Sequence, residues 1–302
     1  GGIAGMMYNG SIAGSYNTGY LRTTRLVAES GGIASLNMGG IVGDTTENTD
    51  SRSVLYDVYN KGQIGDDTYT YYGRHIGGIV GRLSGTVEKA YNNGAIYNGY
   101  NVVGGIVGWL SAGNVNNVFN TGNITVINQN TATSQVGGIV GAVGNAHGAV
   151  TISNAYNLGA LRTFKNTNIG TVGNNSIGGI LGEVSDGTGG INNEVTIKDV
   201  YTTGNIYAGN ITGIEGTATE DADAQIGKIF GHSVKTTDGG TKYDSVVNVF
   251  NAYYIKRADN NGFTAIGTNN HEQTFEQSSN IINVDYTARM NDNYNFSDSS
   301  AW

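Results

Sequence analysis

Apolar residues along this chain stand at fixed offsets from one another, and the arrangement recurs seven times. One half of the recurring unit reads Gly-Gly-Ile-Val-Gly, as at Gly77–Gly81, Gly104–Gly108 and Gly137–Gly141. The other half reads Tyr-Asn-x-Gly-x-Ile, as at Tyr91–Ile96. The aromatic residue of this half serves as origin: Tyr16, Tyr59, Tyr91, Phe119, Tyr156, Tyr201 and Phe250. Four positions earlier stand Ile12, Leu55, Val87, Val115, Ile152, Ile197 and Val246. Five positions later stand Leu21, Ile64, Ile96, Ile124, Leu161, Ile206 and Ile255. The third position of the glycine motif is Ile3, Ile41, Ile79, Ile106, Ile139, Ile180 and Ile229. No polar residue enters these columns, so they read as three rows of one core.

Between the rows the chain is polar and variable. Two positions before the aromatic residue lie Gly14, Asp57, Lys89, Asn117, Asn154, Asp199 and Asn248, which suits outward side chains. Directly after the glycine motif a second outward column is expected: Met6, Asp44, Arg82, Trp109, Ala142, Glu183 and His232. The glycine three positions after the aromatic residue, as at Gly62 and Gly94, and its neighbouring Asn suit a tight corner in the left-handed region. Short β-branched runs punctuated by Gly and Asn point to strands and turns. One unit cannot bury its own isoleucine, whereas stacked units form a continuous core. The expected fold is all-β, a parallel β-helix (solenoid), right-handed and three-sided, with about seven repeats. At ~4.8 Å per layer it would be a rod on the order of 35 Å long. Residues 1–264 are assigned to the repeats. Residues 265–302 lose the pattern and are assigned to a C-terminal cap or a lead into a following domain. Tyr286, Met290, Tyr294, Phe296 and Trp302 would form its apolar plug.

Composition narrows this picture. The 302 residues include no proline, where average usage would give about fifteen. Strands whose N–H groups all pair with neighbours have no place for a residue without one. Glycine is abundant at 49 residues, yet the 38% hydrophobic residues fall in strict columns, unlike a disordered segment. A net charge of −8 disfavours nucleic acid and anionic membrane surfaces as partners. No apolar run is long enough for a spanning helix, so membrane insertion is not expected. With no cysteine, neither a disulfide framework nor a thiolate metal site is possible. The opening Gly1-Gly2-Ile3-Ala4-Gly5 falls inside a repeat, so the chain reads as an internal piece of something longer.

The pairing of Gly-Gly-Ile-Val-Gly with Ala-Tyr-Asn-x-Gly-x-Ile resembles the GLUG-motif repeats of large bacterial surface and exported proteins. Such repeats occur in filamentous-haemagglutinin-like adhesins and in non-catalytic stretches of IgA-cleaving metalloendopeptidases. The resemblance covers roughly residues 1–255. The final unit departs from it, with Lys228 in place of the second Gly and Tyr253 in place of the corner Gly. Asn251–Tyr254 and the ending Phe296–Trp302 are similar to the way such arrays finish. The resemblance implies an extracellular, cell-associated protein used for contact with hosts or neighbours.

Candidate chemistry is sparse. His271-Glu272-Gln273-Thr274-Phe275 begins like a zinc-protease helix, but Phe275 stands where the second His must be. Gly227-Lys228 is followed by Ile229 instead of Ser or Thr, so it does not make a phosphate loop. Glu220-Asp221-Ala222-Asp223 clusters oxygens that could hold Ca²⁺, against a solvated acidic loop. A polysaccharide-cleaving site would stack carboxylates on neighbouring layers. Here Asp57 has Gly14 and Lys89 as column neighbours, and Asp199 has Asn154 and Asn248. No cofactor, metal or catalytic residue is therefore assigned. Two contact surfaces are: the loop carrying Tyr69, Tyr71, Tyr72 and Arg74, against those rings packing as a local satellite core, and an Arg82–Trp109 stacking pair, against a Trp shielding a corner. The expected function is a non-enzymatic rod segment of a secreted or surface-displayed adhesin, contacting glycans or proteins of hosts or neighbouring bacteria. A filament subunit stacking head to tail and a glycan-active β-helix enzyme are the alternatives.

Overall fold

The computed structural model describes the chain apart from residues 23–35, 46–52, 67–72, 99–100, 130, 145–147, 186–192, 214–215, 234–236, 239–240, 243–244, 257–265, 270–281 and 286–302. The described residues are almost entirely β, with large parallel sheets and no α-helix; a 3-10 turn covers Thr167–Ile169. The repeat that begins at His75 gives one segment to each of three sheets. His75–Gly77 lies in a six-stranded sheet, Val80–Asn92 in a 14-stranded sheet and Ile96–Asn98 in a five-stranded sheet. The next repeat then lays Val102–Gly104, Val107–Asn120 and Ile124–Asn128 beside them, all parallel. Successive sequence repeats thus pair with one another in register.

The motif isoleucines form the expected row. The amide of Ile41 donates to the carbonyl of Ile79 at 3.0 Å, Ile79 to Ile106 at 2.9 Å and Ile106 to Ile139 at 2.9 Å. The rows do not share one core, however. The Ile79 and Val87 rows lie in a cluster within the bent 14-stranded sheet. The Ile96 row packs instead against Ile76, Val103 and Val136, between the five- and six-stranded sheets. The last glycine of the motif explains the division. A Cβ on Gly108 would lie 2.7 Å from the Ile76 amide nitrogen, so two backbones meet there with no side chain between them.

The column two positions before the aromatic residue also differs from expectation. Gly14, Asp57, Lys89, Asn117, Asn154 and Asp199 all adopt left-handed backbone, with φ between 47° and 56°. Gly, Asn and Asp recur there because they tolerate that region best. Gly14, Asp57 and Lys89 are exposed as expected, but exposure is not what selects the column, since Asn154 and Asp199 are buried. The last member is Asn251 at φ 46°, not Asn248. Tyr201 pairs with Tyr253 and Ile197 with Val249, so the final unit sits three residues later than the Phe250 and Val246 alignment. Burial decides this register: Val249 and Tyr253 are buried, whereas Val246 and Phe250 are exposed. Tyr253 therefore fills the aromatic position, and Ile255 pairs with Val284 in the large sheet.

The corner asparagines and glycines are not a left-handed turn either. Asn60, Asn92, Asn120 and Asn157 are fully buried and form a ladder. The Nδ2 of Asn17 donates to Oδ1 of Asn60, and so on through Asn92 and Asn120 to Asn157, each bond 2.8 Å. Each amide also clasps its own corner: Asn92 donates to the Gly94 carbonyl at 2.9 Å and accepts from the Gly94 amide at 3.2 Å. Glycine is needed for close approach, since a Cβ on Gly94 would lie 2.0 Å from the Gly62 carbonyl. Thr202 ends the ladder, its buried Oγ1 without a hydrogen-bond partner.

Within the stretch assigned to the cap, Ile266–Asn269 pairs parallel with Phe230–Ser233 and Ile282–Asp285 with Val246–Lys256. The plug residues Tyr286, Met290, Tyr294, Phe296 and Trp302 lie outside the described residues. Asn120→Ala removes an acceptor from Asn92 and a donor from Asn157 in a dry row, and should cost roughly 2–4 kcal/mol in urea unfolding. Asn117→Gly keeps the left-handed backbone and should change stability by less than about 1 kcal/mol. Equal losses from the two changes would contradict the ladder.

Candidate functional site

The left-handed column decides which side chains face outward. A strand alternates its faces, so Tyr91 should share the buried side of Val87, four residues earlier. The kink at Lys89 resets the alternation: Ala90 and Asn92 are buried, while Tyr91 is turned to the half-exposed side. Repeated through the sheet, this builds an external stack of Tyr16, Tyr59, Tyr91, Phe119, Tyr156 and Tyr201. Ring centroids are 4.8–4.9 Å apart and planes lie within 2–4° of parallel. Such pairs add about 0.5–1.5 kcal/mol each beyond burial.

A groove of about 430 Å³ runs beside this stack. Tyr91, Phe119, Tyr156 and Tyr201 line it with Asp57, Lys89 and Asn117. At one end Lys89 Nζ donates to the Tyr56 hydroxyl at 2.6 Å and sits 4.9 Å from the centre of that ring. This hydrogen bond raises the Lys89 pKa, so its charge persists at alkaline pH. Burial raises the Tyr156 phenol, which therefore remains a hydrogen-bond donor at neutral pH. The two carboxylates of the left-handed column, Asp57 and Asp199, are separated by Lys89, Asn117 and Asn154. Sequence reasoning misses this stack, because a column of aromatic residues serves equally well as a mere alignment origin. Its signal is an aromatic residue two positions after a Gly, Asn, Asp or Lys, unit after unit.

The column that follows the glycine motif runs in register as expected, from Met6 through Asp44, Arg82, Trp109, Ala142 and Glu183 to His232. It is not outward. Ala142, Glu183 and His232 are buried, and Arg82 and Trp109 are half-buried. Polar side chains of the six-stranded sheet cover it: Asn37 Nδ2 donates to Asp44 at 2.6 Å, and Gln135 Nε2 donates to Glu183. Arg82 and Trp109 are neighbours, as expected, but inside this seam. The indole packs 5.1 Å from the His75 ring and over Gly144, with Nε1 buried and unpartnered. This is the corner-shielding arrangement.

His75 is buried here, with Nδ1 2.8 Å from Asn37 Oδ1. Burial, then the Arg74 and Arg82 charges, push its pKa down to about 3. Arg74 itself is exposed, and its amide donates to the Leu36 carbonyl at 2.8 Å. Tyr69, Tyr71 and Tyr72 lie outside the described residues, as does His271–Phe275.

In the acidic segment Glu220, Ala222 and Asp223 are exposed, as a solvated loop requires, but Asp221 is not. Asp221 is buried and binds Lys165 Nζ at 3.0 Å through Oδ1, while its Oδ2 accepts from Asn175 Nδ2 at 3.0 Å. Among the described residues no group of three His, Cys, Asp or Glu is placed to hold a metal ion. Gly227-Lys228 joins strand Gln225–Gly227 to strand Phe230–Ser233, with no helix for a phosphate to cap. Among the described residues no helix is long and apolar enough to cross a membrane. No protein-family model, curated protein or solved structure matches this chain.

Two outcomes follow from the buried charges. The unfolded chain binds a proton at His75 near pH 6.5 and the folded chain only near 3. Stability from this residue is therefore complete above pH 6.5 and falls by on the order of 1.4 kcal/mol per unit as pH drops towards 3. His75→Gln should flatten that slope in urea titrations; an unchanged slope would contradict a buried neutral imidazole. Lys165→Met strands the Asp221 carboxylate and should cost roughly 3–5 kcal/mol, most of it restored by adding Asp221→Asn. Calorimetric melting of the two variants checks this.

Proposed function

We propose that the chain is wound as a right-handed, three-sided parallel β-helix of about seven GLUG-type repeats. In this reading it is a non-enzymatic rod segment of a secreted or cell-surface bacterial adhesin-like protein. Its role is to hold contact surfaces at a fixed distance and attach to host cells, neighbouring bacteria or matrix glycans. The observation that carries the reading is the parallel, in-register pairing of successive repeats, locked by the amide ladder. A scaffold built this way grows by addition of layers and resists bending, which suits spacing and display. The wide separation of Asp57 and Asp199 supports display over hydrolysis, because paired carboxylates on adjacent layers are what glycoside cleavage requires.

Adhesion assays test this directly. The immobilised chain should retain epithelial or bacterial cells, and the Tyr69→Ala/Tyr71→Ala/Tyr72→Ala variant should retain far fewer if that loop makes the contact. Release of oligosaccharides from a panel of polysaccharides would overturn the non-enzymatic reading. Concentration-dependent fibres in electron microscopy would favour a filament subunit.

A further inference from the structure

We infer that the groove beside the aromatic stack binds a linear, uncharged glycan lying along the stack, across the strands. This rests on the attachment role proposed above and supplies its site and ligand chemistry. At about 430 Å³, the groove falls within the roughly 300–1,000 Å³ typical of ligand sites.

The period of the site is the first argument. The rings recur every 4.8–4.9 Å, so a ligand that places one unit at each of them must advance by that distance. An extended peptide repeats its side-chain pattern every ~6.8 Å and is out of step at the second ring. A polyproline helix turns once every ~9.3 Å, so it presents equivalent side chains to every second ring only. A β-1,4-linked pyranose chain advances by close to one strand spacing per unit and places one sugar at each ring, with alternate units turned over. Each further unit then binds intramolecularly, so affinity accumulates along the chain.

Surface chemistry is the second argument. The rings stack in parallel and line the groove together, so their faces are largely taken up by one another. The hydroxyls of Tyr91, Tyr156 and Tyr201 and the amide of Asn117 each donate and accept, matching sugar hydroxyls. Phe119 leaves an apolar edge between them for a C–H face. Charge is the third argument. Asp57 and Lys89 carry opposite signs, and the chain's net −8 repels polyanions, so a neutral polymer fits best. Stacking has already ordered the rings, which lowers the entropy lost on binding.

Isothermal titration of the whole chain with cello-, xylo- and N-acetylchito-oligosaccharides of two to six units tests this. For at least one series, affinity should rise at least tenfold from two to four units and then level off. The Tyr91→Phe/Tyr156→Phe/Tyr201→Phe variant keeps the stack, as Phe119 does, and should lose at least tenfold in affinity while still unfolding in a cooperative transition. No binding by any series, affinity independent of length, or full affinity in the Phe variant would each overturn the inference. A preference for an extended or polyproline peptide would overturn it too. Cells adhering to a chain that binds no oligosaccharide would leave the attachment role standing and remove this site alone. Oligosaccharide binding without cell adhesion would do the reverse.

Discussion

The structure depends on one constraint: each repeat must pair with the next in register, one strand spacing away. The buried asparagines enforce this. Each side chain bonds the asparagine of the next layer and clasps its own corner glycine, so sliding by one residue would break several hydrogen bonds in a dry interior. The apolar rows oppose the same slip, because a shift of one residue would turn them out of the core. A polar ladder inside a hydrophobic core adds a directional lock to that register.

The outer surface follows from the same corner. The asparagine can point inward only because the strand kinks at the left-handed residue three positions before it. That kink also turns the aromatic residue outward, and stacking then repeats it at the spacing of the ladder. Register inside and display outside are set by one backbone feature. The groove flanked by Asp57, Lys89 and Asn117 exists because those residues are the kink itself.

Much of this is legible in the amino-acid pattern. The repeating apolar columns imply the strands, their parallel pairing and the Ile41–Ile79–Ile106 row. Two features are legible but mislead. Polarity at Asn154 and Asp199 suggests exposure, yet both are buried, and the backbone angle is what selects those residue types. Polarity at Glu183 and His232 misleads in the same way, because a neighbouring sheet that period-2 alternation does not reveal covers them. The final unit invites the wrong alignment because Val246 and Phe250 mimic the offset that Val249 and Tyr253 occupy. Long-range partners such as Lys165 and Asp221 have no local signature at all; only the folded chain brings them together.

The asparagine ladder has a direction. From Asn17 to Asn157 every amide presents its oxygen to the preceding layer and its N–H groups to the following one. Aligned side-chain dipoles add, as peptide dipoles do in a helix, giving the interior an electrical polarity along its axis. Thr202 interrupts that alignment, and the layer after it carries Tyr254 opposite the threonine, so the row of amides does not resume there. That polarity is therefore confined to the repeats before Thr202, while the backbone pairing of Glu194–Thr202 with Val246–Lys256 carries on without it.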